Sequence, residues 1–146
     1  MASEMSPIGR TSRSFLDTNV LVYSDDPRDL VKQTKALDLI KDHLRRRTGV
    51  VSLQVLQEYF VSVTGKLKLD AELAKRRVEV FARFQVAEPT VSDILAAIDL
   101  HRLHGFSYWD ALVIRCASQS GCSVLLTEDL QNGRVVDGVE IVNPFL

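Results

Sequence analysis

Cysteine is scarce in this chain: Cys116 and Cys122 are the only two among 146 residues. With no histidine at metal-ligand spacing, the pair makes neither a zinc site nor a disulfide framework. It suits a reducing compartment, and a cytoplasmic location is expected. Long apolar runs are missing as well. None approaches the ~20 residues of a membrane span, so no membrane anchoring is expected. Nor is there an excess of one charge: 18 Lys and Arg stand against 19 Asp and Glu, for a net charge of -1. That balance argues against holding nucleic acid by bulk positive charge, while leaving room for an enzyme that touches a few phosphates beside a metal. Of the three histidines, His101 and His104 stand one helical turn apart and read as a solvated face. Chain order builds no Ser-His-Asp or Cys-His arrangement. The opening "MASEMSPIGRTS" is polar, broken by Pro7 and Gly9, and lacks the apolar middle of a secretory signal. Residues 1–13 are read as a leader and residues 14–146 as one domain.

What the chain does have is 46% hydrophobic residues, arranged in short runs. At this length they suffice for one core. Ser14–Leu16, "VVS", "QVAEP", "SVLLT" and Val139–Val142 are strand candidates. Between them, helical spacing recurs over Arg28–Arg47, ended by Gly49, and over "LQVLQEYFVSVTGKL" behind a Ser52 cap. It recurs again over "DAELAKRRVEVFARF" behind Asp70, over Thr90–His104 with Ile94, Leu95 and Ile98 inward, and over "SYWDALVIRCASQS". A shorter helix is expected over Asn19–Tyr23. Basic clusters such as Arg45–Arg47 read as helix ends. Short apolar strands alternating with helices predict an α/β fold: a parallel sheet of four to five strands, covered on both faces.

One charge is oddly placed. In "SFLDTNVLVYS", Asp17 follows Phe15–Leu16 directly and precedes Val20–Leu21–Val22. A carboxylate between apolar runs is desolvated, at a cost unless it is hydrogen-bonded, paired or bound to a cation. Parallel α/β sheets carry their sites at the carboxyl ends of strands, and Asp17 falls where the first strand should end. Asp129 holds the same place after "SVLLT". Asp110 lies in the first turn of "SYWDALVIRCA", and Glu58 sits within "SLQVLQEYF". Each also has a plain structural use. Asp17 and Asp129 suit helix caps, and Glu58 suits the polar side of its helix. Asp110 stands three residues after Ser107, as in a capping box. Thr90 and Asp93 share that spacing with no functional reason behind it, so spacing by itself decides nothing.

Taken in order, "FLDTNVL", "LQEYF", "SYWDALVIRCA" and "LLTEDLQNG" resemble the PIN-domain family and, within it, the VapC-like toxin ribonucleases. The resemblance runs from Phe15 to Leu146. It implies a PIN-like domain whose Asp17, Glu58, Asp110 and Asp129 form a four-acid pocket, supported by Thr18, Asn19 and Thr127. Glu128 competes with Asp129 for the inward position. It also implies an endoribonuclease that hydrolyses RNA phosphodiester bonds as the toxin of a type II toxin–antitoxin pair. A cognate antitoxin would then pack its tail into a groove by the active site, and the toxin would form a homodimer.

Such chemistry needs a nucleophilic water near neutral pH and relief of charge on the phosphoryl oxygens. Four crowded carboxylates repel both the substrate and each other. A divalent cation answers both difficulties. All-oxygen ligation suits Mg2+ or Mn2+ and not zinc, and Mg2+ takes only one or two carboxylates directly. Asp17 and Asp110 are assigned as direct metal ligands, with Asp129 completing the site directly or through water. Glu58 is assigned to orient the attacking water or hold a second metal. Among the aromatics near the acids, Tyr23 and Tyr108 are candidates to stack on unpaired bases, while Tyr59 and Trp109 read as core. A haloacid-dehalogenase-type phosphatase would want an acid where Asn19 stands, and a receiver domain would want paired acids that are not evident. The alternative that survives is a non-catalytic PIN-type module binding RNA or a partner protein, and the intact set of acids counts against it.

Overall fold

The structure, a computed structural model, describes residues 12–146. The expected leader lies outside the described residues except for Ser12 and Arg13, and Arg13 already opens the strand β1 (Arg13–Leu16). β2 (Gly49–Ser52), β3 (Gln85–Ala87), β4 (Cys122–Leu126), β5 (Val135–Val136) and β6 (Val139–Val142) join it in one six-stranded sheet, ordered β3-β2-β1-β4-β6-β5. All neighbours are parallel except β5 and β6. The sheet therefore exceeds the expected four to five strands by one short strand, β5, which pairs with β6 in a small hairpin. Its turn is Asp137–Gly138, both with positive φ (53° and 79°) as a two-residue hairpin turn requires. All four residues of β2 are buried, which requires cover on both faces of the sheet.

That cover comes from α1 (Thr18–Tyr23), α2 (Leu30–Arg46), α3 (Leu53–Gly65), α4 (Ala71–Phe81), α5 (Val91–His104) and α6 (Tyr108–Gln119). Each starts where a side chain meets an otherwise orphaned N–H. Ser52 accepts from Val55, Asp70 from Leu73 and Ser107 from Asp110. Among the described residues, no helix is long and apolar enough to cross a membrane. Phe15, Leu16, Val20, Leu21, Val50, Val51, Tyr59 and Ile141, among others, form one core between sheet and helices.

Two sequence expectations fail for packing reasons. α2 ends at Arg46 with Arg47 in a left-handed conformation (φ 59°), so Gly49 is not its stop. Gly49 instead opens β2 and makes room for the Phe84 ring, from which a Cβ would stand only 2.5 Å away. On α5, Ile94, Leu95 and Ile98 face outward, at 38%, 58% and 38% exposure. The face turned inward carries Ala97 and Asp93, because Asp93 pairs with Arg115 of α6 at 2.9 Å. A helix that is apolar on more than one side gives periodicity nothing to phase by.

The chain moves from β1 outward through β2 and β3, then returns to the other side of β1 as β4. The order thus reverses between β1 and β4, where open α/β sheets form their crevice. Two backbone bonds carry the ladder just past the strand ends: Asp17 N–H to Leu126 O (3.1 Å) and Thr127 N–H to Val142 O (3.1 Å). Asp17 and Thr127 are thereby pinned side by side at the carboxyl edge.

Candidate active site

Asp17 is the cap of α1 and also the most buried of the four acids. Its Oδ1 accepts from the Thr18 N–H (2.8 Å) and its Oδ2 from the Thr127 hydroxyl (3.0 Å), with only 6% of the residue exposed. Burial pushes its pKa up to about 6, the two hydrogen bonds oppose the rise, and the charges of Asp129 and Asp110 add to it. A cap alone would not leave a carboxylate so reluctant to ionise.

Thr127 is the hub. Its hydroxyl donates to Asp17 and accepts from Asn19 Nδ2 (3.0 Å) and from the Asp129 N–H (3.1 Å). One donor and two lone pairs are all a hydroxyl has, so every capacity is used. Asn19 Nδ2 also reaches Asp129 Oδ2 (3.0 Å), while its Oδ1 accepts from the Glu128 N–H (3.3 Å). Glu58 lies on the exposed side of α3, where Oε1 accepts from the Thr18 hydroxyl (2.9 Å) and Oε2 from Gln54 Nε2 (3.0 Å). A single network thus runs from Glu58 through Thr18, Asp17, Thr127 and Asn19 to Asp129.

Asp110 joins through charge. Burial raises its pKa, the Ser107 hydroxyl lowers it, and Asp129 and Glu58 raise it further. The comparison with Asp93 separates site from cap. Asp93 returns its carboxylate to the Thr90 N–H (2.8 Å), pairs with Arg115, and is held below the usual carboxylate range. Among the described residues the Asp110 carboxylate makes no such return bond to the Ser107 N–H, and the charges it feels are those of other acids. Identical spacing has produced opposite electrostatics.

The competition between Glu128 and Asp129 is resolved by neighbours. Glu128 accepts from Lys32 Nζ (2.9 Å) and from the Tyr23 hydroxyl, while Tyr23 also packs edge-on against Phe145. Both side chains are thereby committed away from the four acids, which removes Tyr23 as a stacking platform. Tyr59 is core, as expected. Trp109 is not: it is 59% exposed beside Asp110 and meets Tyr108 edge-on at 5.0 Å. The buried residues of α6 run Ala111 to Ile114 without a gap, so periodicity could not assign the residue just before them. The histidines are not merely solvated either, since His101 Nδ1 meets the Phe106 carbonyl and His104 Nδ1 meets Arg134 (3.1 Å).

Among the described residues no three Asp, Glu, His or Cys side chains close into a ready-made metal cage. The donor set nevertheless fits a hard ion that keeps most of its water, because such an ion needs one or two direct carboxylates and tolerates the rest at a distance. Burial first, and the charges of neighbouring acids after it, raise the pKa of both Asp17 and Asp110, and a cation would favour the ionised form of each.

A family model for the PIN domain matches residues 14–137. No curated protein sequence matches the chain. Among solved structures the chain is similar to VapC20 of Mycobacterium tuberculosis, a sarcin-ricin loop cleaving toxin. Identity is 17% and the TM-score 0.61, over 77% of this chain and 86% of that one. Likeness at that identity concerns the fold.

Proposed function

The chain belongs to the PIN-domain family, and from that premise we propose that it is a Mg2+- or Mn2+-dependent endoribonuclease, the toxin of a toxin–antitoxin pair, with residues 14–146 as the nuclease domain. The observation that carries this reading is Asp17, a buried carboxylate raised to about 6 among other acids at the crevice of the sheet. Among the described residues, no Lys or Arg pairs with any of the four acids. Asp17 and Asp110 would hold the ion, with Asp129 completing the site. When bound, the ion would neutralise the cluster, polarise a phosphoryl oxygen and make water acidic enough to attack near neutral pH. The residues do the rest. Thr127 and the Thr18 N–H fix the Asp17 carboxylate, and Asn19 fixes Asp129. Thr18 and Gln54 take one lone pair on each Glu58 oxygen, leaving the others to orient a water and accept its proton. Tyr108 and Trp109, the two residues before Asp110, would offer ring surfaces to an unpaired base.

That a similarly folded protein is an RNA-cleaving toxin supports an RNA substrate and a cytoplasmic setting. An antitoxin segment is supported by a groove of about 650 Å3 between α3 and α4, lined by Leu56, Phe60, Val61, Ala71 and Val78. Gln57 and Val61 also line the pocket holding Thr18 and Glu58, so groove and site adjoin. A homodimer would find an apolar face in Val91, Ile94, Leu95 and Ile98 of α5.

The test is direct. Purified protein should cleave single-stranded RNA with Mg2+ or Mn2+, and not with Ca2+ or in EDTA. Asp17→Asn and Asp110→Asn should each lose about 100-fold or more in rate, the scale of removing a charge-stabilising group, while still unfolding cooperatively. In cells, induced wild type should arrest growth. If Asp17→Asn protein at equal level arrests growth as well, catalysis is refuted and the binding-module reading stands.

A further inference from the structure

The end of the sheet opposite the acids holds a second polar concavity, of about 450 Å3. The segments leading into three successive strands each deliver one arginine to it. Arg13 opens β1, Arg47 stands two residues ahead of β2, and Arg83 two residues ahead of β3. Gln85 joins the wall and accepts from Arg13 Nη1. Phe84 and His43, both nearly fully buried, form the floor. The ring of Phe84 lies against β2 only because Gly49 has no Cβ. His43 meets the Thr48 hydroxyl at 2.7 Å, and burial holds its pKa down, so it stays neutral near pH 7.

No carboxylate lines this cavity, and none of the three guanidiniums forms an ion pair among the described residues. The nearby acid on α2, Asp42, is occupied by Arg45 (2.6 Å) and Arg46 (2.8 Å). Helix dipoles explain part of this, since α2 and α4 end here and cations favour such ends. They do not explain Arg13, which lies on a strand, nor why three arginines share one concavity in a chain of net charge -1.

We propose that this cavity binds a multiply charged phosphate group, of the kind carried by an RNA backbone or a nucleoside polyphosphate. Guanidinium forks suit phosphate oxygens because they donate in pairs and stay charged. The neutral floor, and the absence of any acid among the described residues that line the cavity, favour an external anion to balance the three charges. The site is separate from the acid pocket by the length of the sheet, and its occupancy does not depend on catalysis.

The experiment uses the full chain in EDTA, where the metal-free acids repel anions. Tripolyphosphate or ATP at millimolar concentration, against KCl of matched ionic strength, should raise Tm by about 3 °C or more through binding to the folded state. The variant Arg47→Gly/Arg83→Gln should lose that shift. Glycine suits the left-handed backbone at position 47, and the single variant Arg83→Gln, which should halve the shift or more, covers a double variant that fails to fold. A second arm measures affinity for a single-stranded RNA against salt. If the phosphate belongs to RNA, the double variant should flatten the log–log slope by about 1.4, two contacts at ~0.7 each. An unchanged slope with a lost Tm shift assigns the free nucleotide. A Tm shift that survives in the variants, or no response in either arm, overturns the site.

Discussion

Replacing Asp17 by Asn should reverse its effect on stability between acid and neutral pH. Burial, above all, raises the native pKa to about 6 from the 3.8 ordinary for an aspartate. A carboxyl whose folded pKa is raised contributes most below its unfolded pKa, and that contribution is lost as pH rises through the folded value. At 1.36 kcal/mol per unit, ionised Asp17 costs the metal-free fold roughly 3 kcal/mol near pH 7.5. Asn carries no such cost, but it cannot reproduce both bonds. Oδ1 and Oδ2 each accept now, from the Thr18 N–H and the Thr127 hydroxyl. The amide nitrogen must face one of those donors, and Thr127 has no free lone pair to take it. One frustrated buried bond costs about 1–3 kcal/mol.

In EDTA at about pH 7.5 the variant should therefore match or exceed wild type, by up to about 2 kcal/mol. At about pH 4.5 wild-type Asp17 is protonated in the fold and accepts both bonds, so the variant should be the less stable. Across that window the difference should move by about 2 kcal/mol, since the unfolded group is itself partly ionised at the acid end. Urea unfolding at both pH values reads this directly, because groups common to both proteins cancel. Adding Mg2+ at about 100 times its dissociation constant should stabilise wild type by about 2.7 kcal/mol and the variant much less. A difference that stays flat with pH would refute the raised pKa. An unchanged metal response would reduce Asp17 to a cap.

Glu58→Gln should lower the RNA cleavage rate by about 100-fold or more while keeping most of the Mg2+-induced Tm shift, if Glu58 places the water; loss of the shift with the rate would make it a ligand instead. Trp109→Ala should leave stability within about 0.5 kcal/mol, as for an exposed residue, and weaken binding of single-stranded RNA by about 1–3 kcal/mol. Equal RNA affinity would show that the indole does not stack. Gly49→Ala should destabilise by about 1–3 kcal/mol, because its Cβ would stand 2.5 Å from the Phe84 ring in a close-packed floor; a cost below about 0.5 kcal/mol in urea unfolding would mean that the ring moves aside freely.

The sequence by itself determined the α/β class, the order of elements and the helix caps at Ser52, Asp70 and Thr90. Those depend on local chemistry: short β-branched runs, helical spacing, and an oxygen ahead of three orphaned N–H groups. It also marked Asp17 as a charge out of place between two apolar runs. The hairpin of β5 and β6 went unread: Asp137–Gly138 is a turn pair, but the two residues of β5 leave no alternation to confirm a strand before it.

Only the tertiary structure decided what the same local signals were for. Ser107–Asp110 and Thr90–Asp93 read alike along the chain, yet Asp93 pairs with Arg115 while Asp110 feels the charges of Asp129 and Glu58. Glu128 and Asp129 are adjacent, and Lys32, on a helix far away in sequence, draws off the first. Trp109 and the α5 stripe turned outward for a similar reason, since α5 and α6 settle their mutual face through an ion pair. A carboxylate's pKa, and so its use, is set by the charges and solvent around it, and those come from residues dozens of positions away.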